Sequence, residues 1–201
     1  MPHIRPLAPR DRARILEIVI ATGNFTPVEI DVAMEVVDEA LADPAFPRGE
    51  YRAYVVEDDQ GKVAGYECHG PTPLTEGTYD LYWIAVDPAC QGAGFGRVLL
   101  AFAENDVRET GGRLLLIETS SQETYGATIR FYEKSGYPLV ARIKGFYRPG
   151  DDKLIFAKEL GPGESLAPSG ADGADRAAGA TGAGGPTGAG SPAEAAGPAG
   201  E

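Results

Sequence analysis

The spacing of apolar positions changes period several times along the chain, and each change marks an element. His3 to Arg5 reads as a short strand, closed by Pro6 and Pro9. Asp11 to Ile20 carries Ile15, Leu16, Ile18 and Val19 at helical spacing and stops at Gly23, which predicts a first helix. Thr26-Pro27-Val28-Glu29 is a helix start, with a hydroxyl cap, a proline in the first turn and a glutamate three residues beyond the cap. Ile30, Ala33, Met34, Val37 and Leu41 then recur on one helical face until Pro44 and Pro47 end the pattern.

Period two takes over next. Tyr51 to Glu57 and Lys62 to Cys68 flank Asp58-Asp59-Gln60-Gly61, the pattern of an antiparallel hairpin, and Thr78 to Val86 extends it to a three-stranded meander. Strict alternation along that third strand puts Asp80, Tyr82, Ile84 and Val86 on one face, with Leu81, Trp83 and Ala85 on the other. Val98 to Val107 is helical, and Leu114 to Ile117 is a continuous apolar run of the kind buried inside a sheet. Tyr125 to Lys134 predicts a further helix with a Schellman stop at Ser135-Gly136, and Tyr137 to Tyr147 and Lys153 to Leu160 supply two last strands. The order predicts an α/β domain of mixed α+β type with a largely antiparallel sheet. It excludes a doubly wound fold.

Composition sets the boundary of that domain. Residues 161 to 201 contain 12 Gly, 12 Ala and 5 Pro with one leucine and no aromatic, too little apolar surface to offset the ordering of the chain. The expectation is a folded domain over 1–160 and a disordered Gly/Ala/Pro-rich tail over 161–201. The formal net charge of −12 argues against a nucleic-acid groove, which needs clustered Lys and Arg. Two cysteines, Cys68 and Cys90, and two histidines, His3 and His69, make neither a disulfide framework nor a metal-ligand set, so no metal is expected. His69, beside Gly70-Pro71, reads as a solvated residue at a strand end, and Cys68 as an apolar filler. No apolar run approaches the ~18 residues of a membrane span, and the first residues lack the basic start and apolar core of a secretion signal. A cytoplasmic protein without membrane partners is the expectation.

The candidate chemistry lies in Gln91-Gly92-Ala93-Gly94-Phe95-Gly96-Arg97, between the third meander strand and the next helix. Glycines there leave amide N–H groups uncovered, and the helix start adds its own unpaired donors and partial positive charge. Together they form a nest for a phosphate or pyrophosphate, with Arg97 as a point charge at the rim. A nucleoside-triphosphatase loop is excluded because Gly96 is followed by Arg97-Val98, and a dinucleotide fingerprint because the spacing is Gly-x-Gly-x-Gly.

The run from Tyr82 to Pro88 and on to Leu100 resembles the acetyl-coenzyme A binding motif of the GNAT superfamily of N-acetyltransferases. The motif Gln/Arg-x-x-Gly-x-Gly/Ala falls on Gln91, Gly94 and Gly96, and a second signature falls on Phe131-Tyr132-Glu133-Lys134-Ser135-Gly136-Tyr137. The resemblance spans about residues 3 to 160. It implies a central, mostly antiparallel sheet that splays to admit the cofactor's pantetheine arm, with acetyl-CoA as the co-substrate and no metal. It further implies contacts to acetyl-CoA from Ile84, Ala85 and Val86 and from Gln91, Gly92, Ala93, Gly94, Phe95, Gly96 and Arg97. An amide of Ile84 to Val86 would polarise the thioester carbonyl.

By the same resemblance Tyr132 is the general acid, since its phenol can protonate the departing thiolate. Asp80 stands where some members place a catalytic carboxylate, with Glu118 and Glu67 as competitors and ordered water as a further choice of base. The implied activity is acetyl transfer from acetyl-CoA to a primary amine of a small molecule or of a peptide or protein. The alternatives are a non-catalytic acyl-CoA sensor and an acyltransferase that uses another acyl donor. The acceptor pocket is expected between residues 25–42 and 146–153, in a monomer or homodimer. His69 and the aspartates 151 and 152 are explained without a catalytic role.

Overall fold

The computed structural model describes residues 2–43 and 45–161. From residue 162 onward, the expected tail lies outside the described residues. Within them the elements run β1 (His3–Pro6), α1 (Arg12–Thr22), α2 (Pro27–Ala42), β2 (Arg52–Glu57), β3 (Val63–Pro71) and β4 (Thr78–Val86). Then come α3 (Phe95–Glu109), β5 (Leu114–Ser120), α4 (Gly126–Lys134), β6 (Leu139–Arg148) and β7 (Asp151–Glu159). One seven-stranded sheet collects the strands in the order β1-β2-β3-β4-β5-β7-β6. All neighbours are antiparallel except β4 and β5, whose connection passes through α3.

Local chemistry accounts for the helix ends. Thr26 Oγ1 accepts from the Glu29 amide, and the Glu29 carboxylate accepts from the Thr26 amide at 2.7 Å, so α2 begins with a full capping box. At the end of α4 the Tyr137 amide reaches back to the Tyr132 carbonyl at 3.0 Å, and Gly136 takes φ +84°. That is the Schellman stop the sequence predicts.

Helices cover both faces of the sheet. On one face α1 and α2 bury Ile15, Ile18, Val19, Met34 and Val37 against Tyr66, Cys68 and Trp83. On the other, Leu99, Leu100, Ala103 and Val107 of α3, with Phe131 and Tyr132 of α4, pack on Leu81, Ile84, Val86, Leu115, Ile117 and Phe156.

Strand β4 departs from the alternation expected of it. Cys68 stands opposite Trp83, but His69 stands opposite Leu81, so Tyr82 is the extra residue of a β-bulge. Leu81 therefore shares the α3 face with Ile84 and Val86, while Tyr82 joins Trp83 and Ala85 on the α1/α2 face. The expected grouping of Tyr82 with Ile84 and Val86 is thus corrected, because one inserted residue shifts the phase of a period-two pattern.

Candidate active site

Strands β4 and β5 pair only from Thr78↔Leu114 to Leu81↔Ile117. Beyond that point no ladder pair joins residues 82–86 to residues 118–120 among the described residues, although β3 and β7 still hold their outer sides. The sheet opens into a wedge there, with Ile84, Ala85 and Val86 along one flank and Glu118, Thr119 and Ser120 along the other.

The glycine turn follows directly from the β4 flank. A short 3-10 turn, Pro88–Cys90, is capped by Asp87, which accepts from the Ala89 amide at 2.9 Å. Arg14 of α1 pairs with the same carboxylate and donates to the Val63 carbonyl at 3.1 Å. The turn is thereby tied to α1. Gly92 and Gly94 have φ +80° and +87°, and a Cβ added at either would meet no atom within 4 Å. Helix α3 starts at Phe95 with Gly94 as its cap and no side chain on its first amides. A glycine-capped helix start with open space over it suits an anionic phosphate group. Arg97 is exposed at this end.

On the α4 side of the wedge Tyr132 is fully buried, with its ring 6.0 Å from that of Phe156 and 6.3 Å from that of Tyr137. Its hydroxyl has no hydrogen-bond partner among the described residues, and burial pushes its pKa well up. The phenol therefore stays protonated at neutral pH and holds a proton to donate.

The opposite face gathers carboxylates. Asp80 is half-buried and accepts from the Thr72 hydroxyl at 2.6 Å. Burial pushes the Asp80 carboxyl above the usual range. The Thr72 bond opposes this, the charge of Glu118 adds to it, and that of Lys153 opposes it. Glu118 forms an ion pair with Lys153 at 2.5 Å, and Lys153 also stands 4.8 Å from the centre of the Phe146 ring. Tyr147 keeps an exposed edge, but partial loss of hydration, reinforced by the charges of Glu118, Asp151 and Glu29, raises its pKa to about 12. Asp80, Glu118 and Lys153 therefore lie near one another beside the closed end of the wedge.

Other candidates are committed elsewhere. Asp151 accepts from Ser120 Oγ at 2.5 Å and from Gln122 Nε2 at 2.6 Å, and Asp152 accepts from the Gly145 amide and from Arg142. Glu67 lies on the α3 face, fully buried, and bonds His69 Nδ1 at 2.9 Å. His69 is likewise fully buried, in β3, with Nε2 3.0 Å from Asp106 of α3. The expectation of a solvated loop histidine is corrected, because β3 continues through it to Pro71. Sequence reasoning missed Thr72 and Lys153 as partners of the two cleft carboxylates. The hairpin signal that brings Thr72 back over Asp80 was present, whereas nothing local marks Lys153.

Comparison with known proteins fits this geometry. A family model described as an acetyltransferase (GNAT) domain matches residues 49–138. A GNAT-family protein from Desulfovibrio desulfuricans, solved by crystallography, is 48% identical, with a TM-score of 0.75 over 80% of this chain and all of that one. The chain belongs to the GNAT superfamily of acetyltransferases. The structure of the acetyltransferase yncA from Salmonella typhimurium with its cofactor acetyl-CoA shares the fold at 24% identity, with a TM-score of 0.62 over 85% of this chain and 99% of that one. Among curated relatives, the mycothiol acetyltransferase of Rhodococcus erythropolis is 27% identical over 133 residues, 64% of this chain and 44% of that protein. This GNAT chain thus spans less than half the length of that relative. Among the described residues, no group of three or more His, Cys, Asp or Glu is placed to hold a metal ion, and no helix is long and apolar enough to cross a membrane.

Proposed function

We propose that the protein transfers the acetyl group of acetyl-CoA to a primary amine of a small molecule or a peptide. The observation that supports this most is the alignment of three features along one wedge. These are a glycine-capped helix start, a strand pair opened at Leu81↔Ile117, and a buried phenol with no partner among the described residues.

Acetyl-CoA, when bound, supplies an acyl carbon activated as a thioester. The amides of Gly92 to Arg97 would hold its pyrophosphate, and an amide of Ile84 to Val86 would stabilise negative charge developing on the acyl oxygen. Asp80 takes the proton of the incoming ammonium, its raised pKa bringing it closer to the range useful for a base. Glu118, paired with Lys153, orients the acceptor and keeps negative charge beside Asp80. Tyr132 gives its proton to the departing sulfur. Holding both reactants in one wedge supplies much of the rate.

The deciding experiment mixes the purified chain with acetyl-CoA and a panel of primary amines and follows release of free thiol. Amine-dependent release supports the reading. Binding of acetyl-CoA with no turnover on any amine would favour a sensor instead.

A further inference from the structure

Of the five lysines in the chain, Lys62, Lys134 and Lys144 are exposed and Lys158 is half-buried. Lys153 alone is buried, its side chain 9% exposed, although a long cationic side chain ordinarily reaches for water. It sits in β7 between Ser120 of β5 and Ile143 of β6. Leu154 and Phe156 turn to the α3 and α4 core, so period two turns Lys153 to the opposite face. The same alternation puts Glu118, beside Ile117, and Asp80, beside Leu81, on that face.

What surrounds the ammonium is a substrate's setting. Glu118 Oε2 lies 2.5 Å from Nζ, and the Phe146 ring, centred 4.8 Å away, covers it as a cation–π partner. Its charge reaches Asp80. Glu118 is the first β5 residue beyond the last ladder pair, Leu81↔Ile117, so the ammonium stands where β4 and β5 part. The proposed reaction asks its acceptor site for one carboxylate to hold a primary amine and another to take its proton. A lysine of the chain already fills that place.

We propose that Lys153 accepts an acetyl group from acetyl-CoA bound to its own chain, which makes it a self-modification site. This rests on the reading that the protein transfers acetyl groups to primary amines. Asp80 takes one proton from the ammonium, and the neutral Nζ then attacks the thioester carbon. The C–N bond forms and the second nitrogen proton leaves to solvent. The C–S bond breaks as Tyr132 protonates the sulfur, and solvent restores the phenol's proton. The products are Nε-acetyl-Lys153, free coenzyme A thiol and one proton. The amide carries no charge, so Glu118 loses its counter-ion in the modified chain.

Incubating the full chain with acetyl-CoA and no added amine, then mapping acetyl groups by peptide mass spectrometry, tests this. Lys153 should be labelled at least about ten-fold faster than the exposed Lys62 and Lys144, at a rate per chain independent of protein concentration. Excess coenzyme A, competing for the donor site, should suppress the label at Lys153 and leave the exposed lysines unchanged. Lys153→Arg keeps a cation beside Glu118 and should remove the fast label. Labels confined to exposed lysines would overturn the inference, as would a Lys153 label that coenzyme A does not diminish or a fast label that survives Lys153→Arg. Turnover of an added amine with Lys153 unlabelled would defeat self-transfer and leave the acetyl-transfer reading standing. Neither label nor thiol release with any amine would defeat both.

Discussion

His69 Nε2 lies 3.0 Å from Asp106 Oδ2, a contact that fastens the middle of the sheet to the last turns of α3. Asp106 also accepts from Arg52 Nη1 at 2.9 Å, and Glu67 bonds the other imidazole nitrogen, so four buried ionisable groups interlock beneath the helix. Burial alone would lower the His69 pKa. The Glu67 charge and the bonds to Asp106 and Glu67 outweigh it and raise the pKa from 6.5 to about 9.

A folded-state pKa above the unfolded one stabilises fully below the unfolded value and is lost as pH rises through the folded value. The thermal midpoint of the wild type should therefore decline from pH 6.5 to above 9, a loss of up to about 3 kcal/mol from His69. His69→Gln should be less stable at neutral pH, since it leaves buried carboxylates short of a partner, and should lack that alkaline decline. A midpoint in the variant that falls as steeply as wild type would exclude His69 as the source.

Gly94 holds φ +87°, where a β-branched residue is strained by about 1–3 kcal/mol although space for its Cβ is open. Gly94→Val should keep the fold by circular dichroism but bind coenzyme A at least ten-fold more weakly in calorimetry. Wild-type affinity in a folded variant would remove the turn from the binding site.

Tyr132→Phe deletes only a hydroxyl that bonds nothing among the described residues, so its thermal midpoint should hold or rise. If the phenol donates the proton, kcat falls by ~10²-fold with a smaller change in KM for acetyl-CoA. A full rate under conditions where chemistry limits turnover would leave Tyr132 with packing alone.

Asp80 predicts the acid limb of the pH profile. A base whose pKa is raised by burial must lose its proton before it works, so kcat/KM should decline on acidification at a pH above the ordinary carboxylate range. Asp80→Asn should lose most activity at neutral pH and recover part of it at high pH, where the amine deprotonates unaided. An unshifted acid limb in that variant would assign the limb to another group.

Much of this was legible from residue order because it depends on local rules. The capping box at Thr26 and Glu29, the stop at Gly136 and the glycine turn are each written within a few residues. What escaped was phase and pairing. Nothing in the run from Asp80 to Val86 announces an extra residue, because the bulge at Tyr82 follows from how β4 meets Cys68 and His69. His69 looked like a loop residue from its neighbours Gly70 and Pro71, yet its partners lie 17 residues before it and 37 after it, on Arg52's strand and on α3. Burial of a charged cluster is decided by the whole assembly, so the local pattern could not show it.

A flat sheet of seven strands has two borders. The wedge gives this one two more, inside the molecule, where β4 and β5 each turn a row of main-chain donors and acceptors toward a gap. Outer borders are usually protected by lysines, prolines or a covering loop, but an inner one has no surface on which to place such guards. An occupant that completed such a gap would have to be slender and extended, with donors and acceptors at intervals along it, and the backbone rather than any side chain would set that shape.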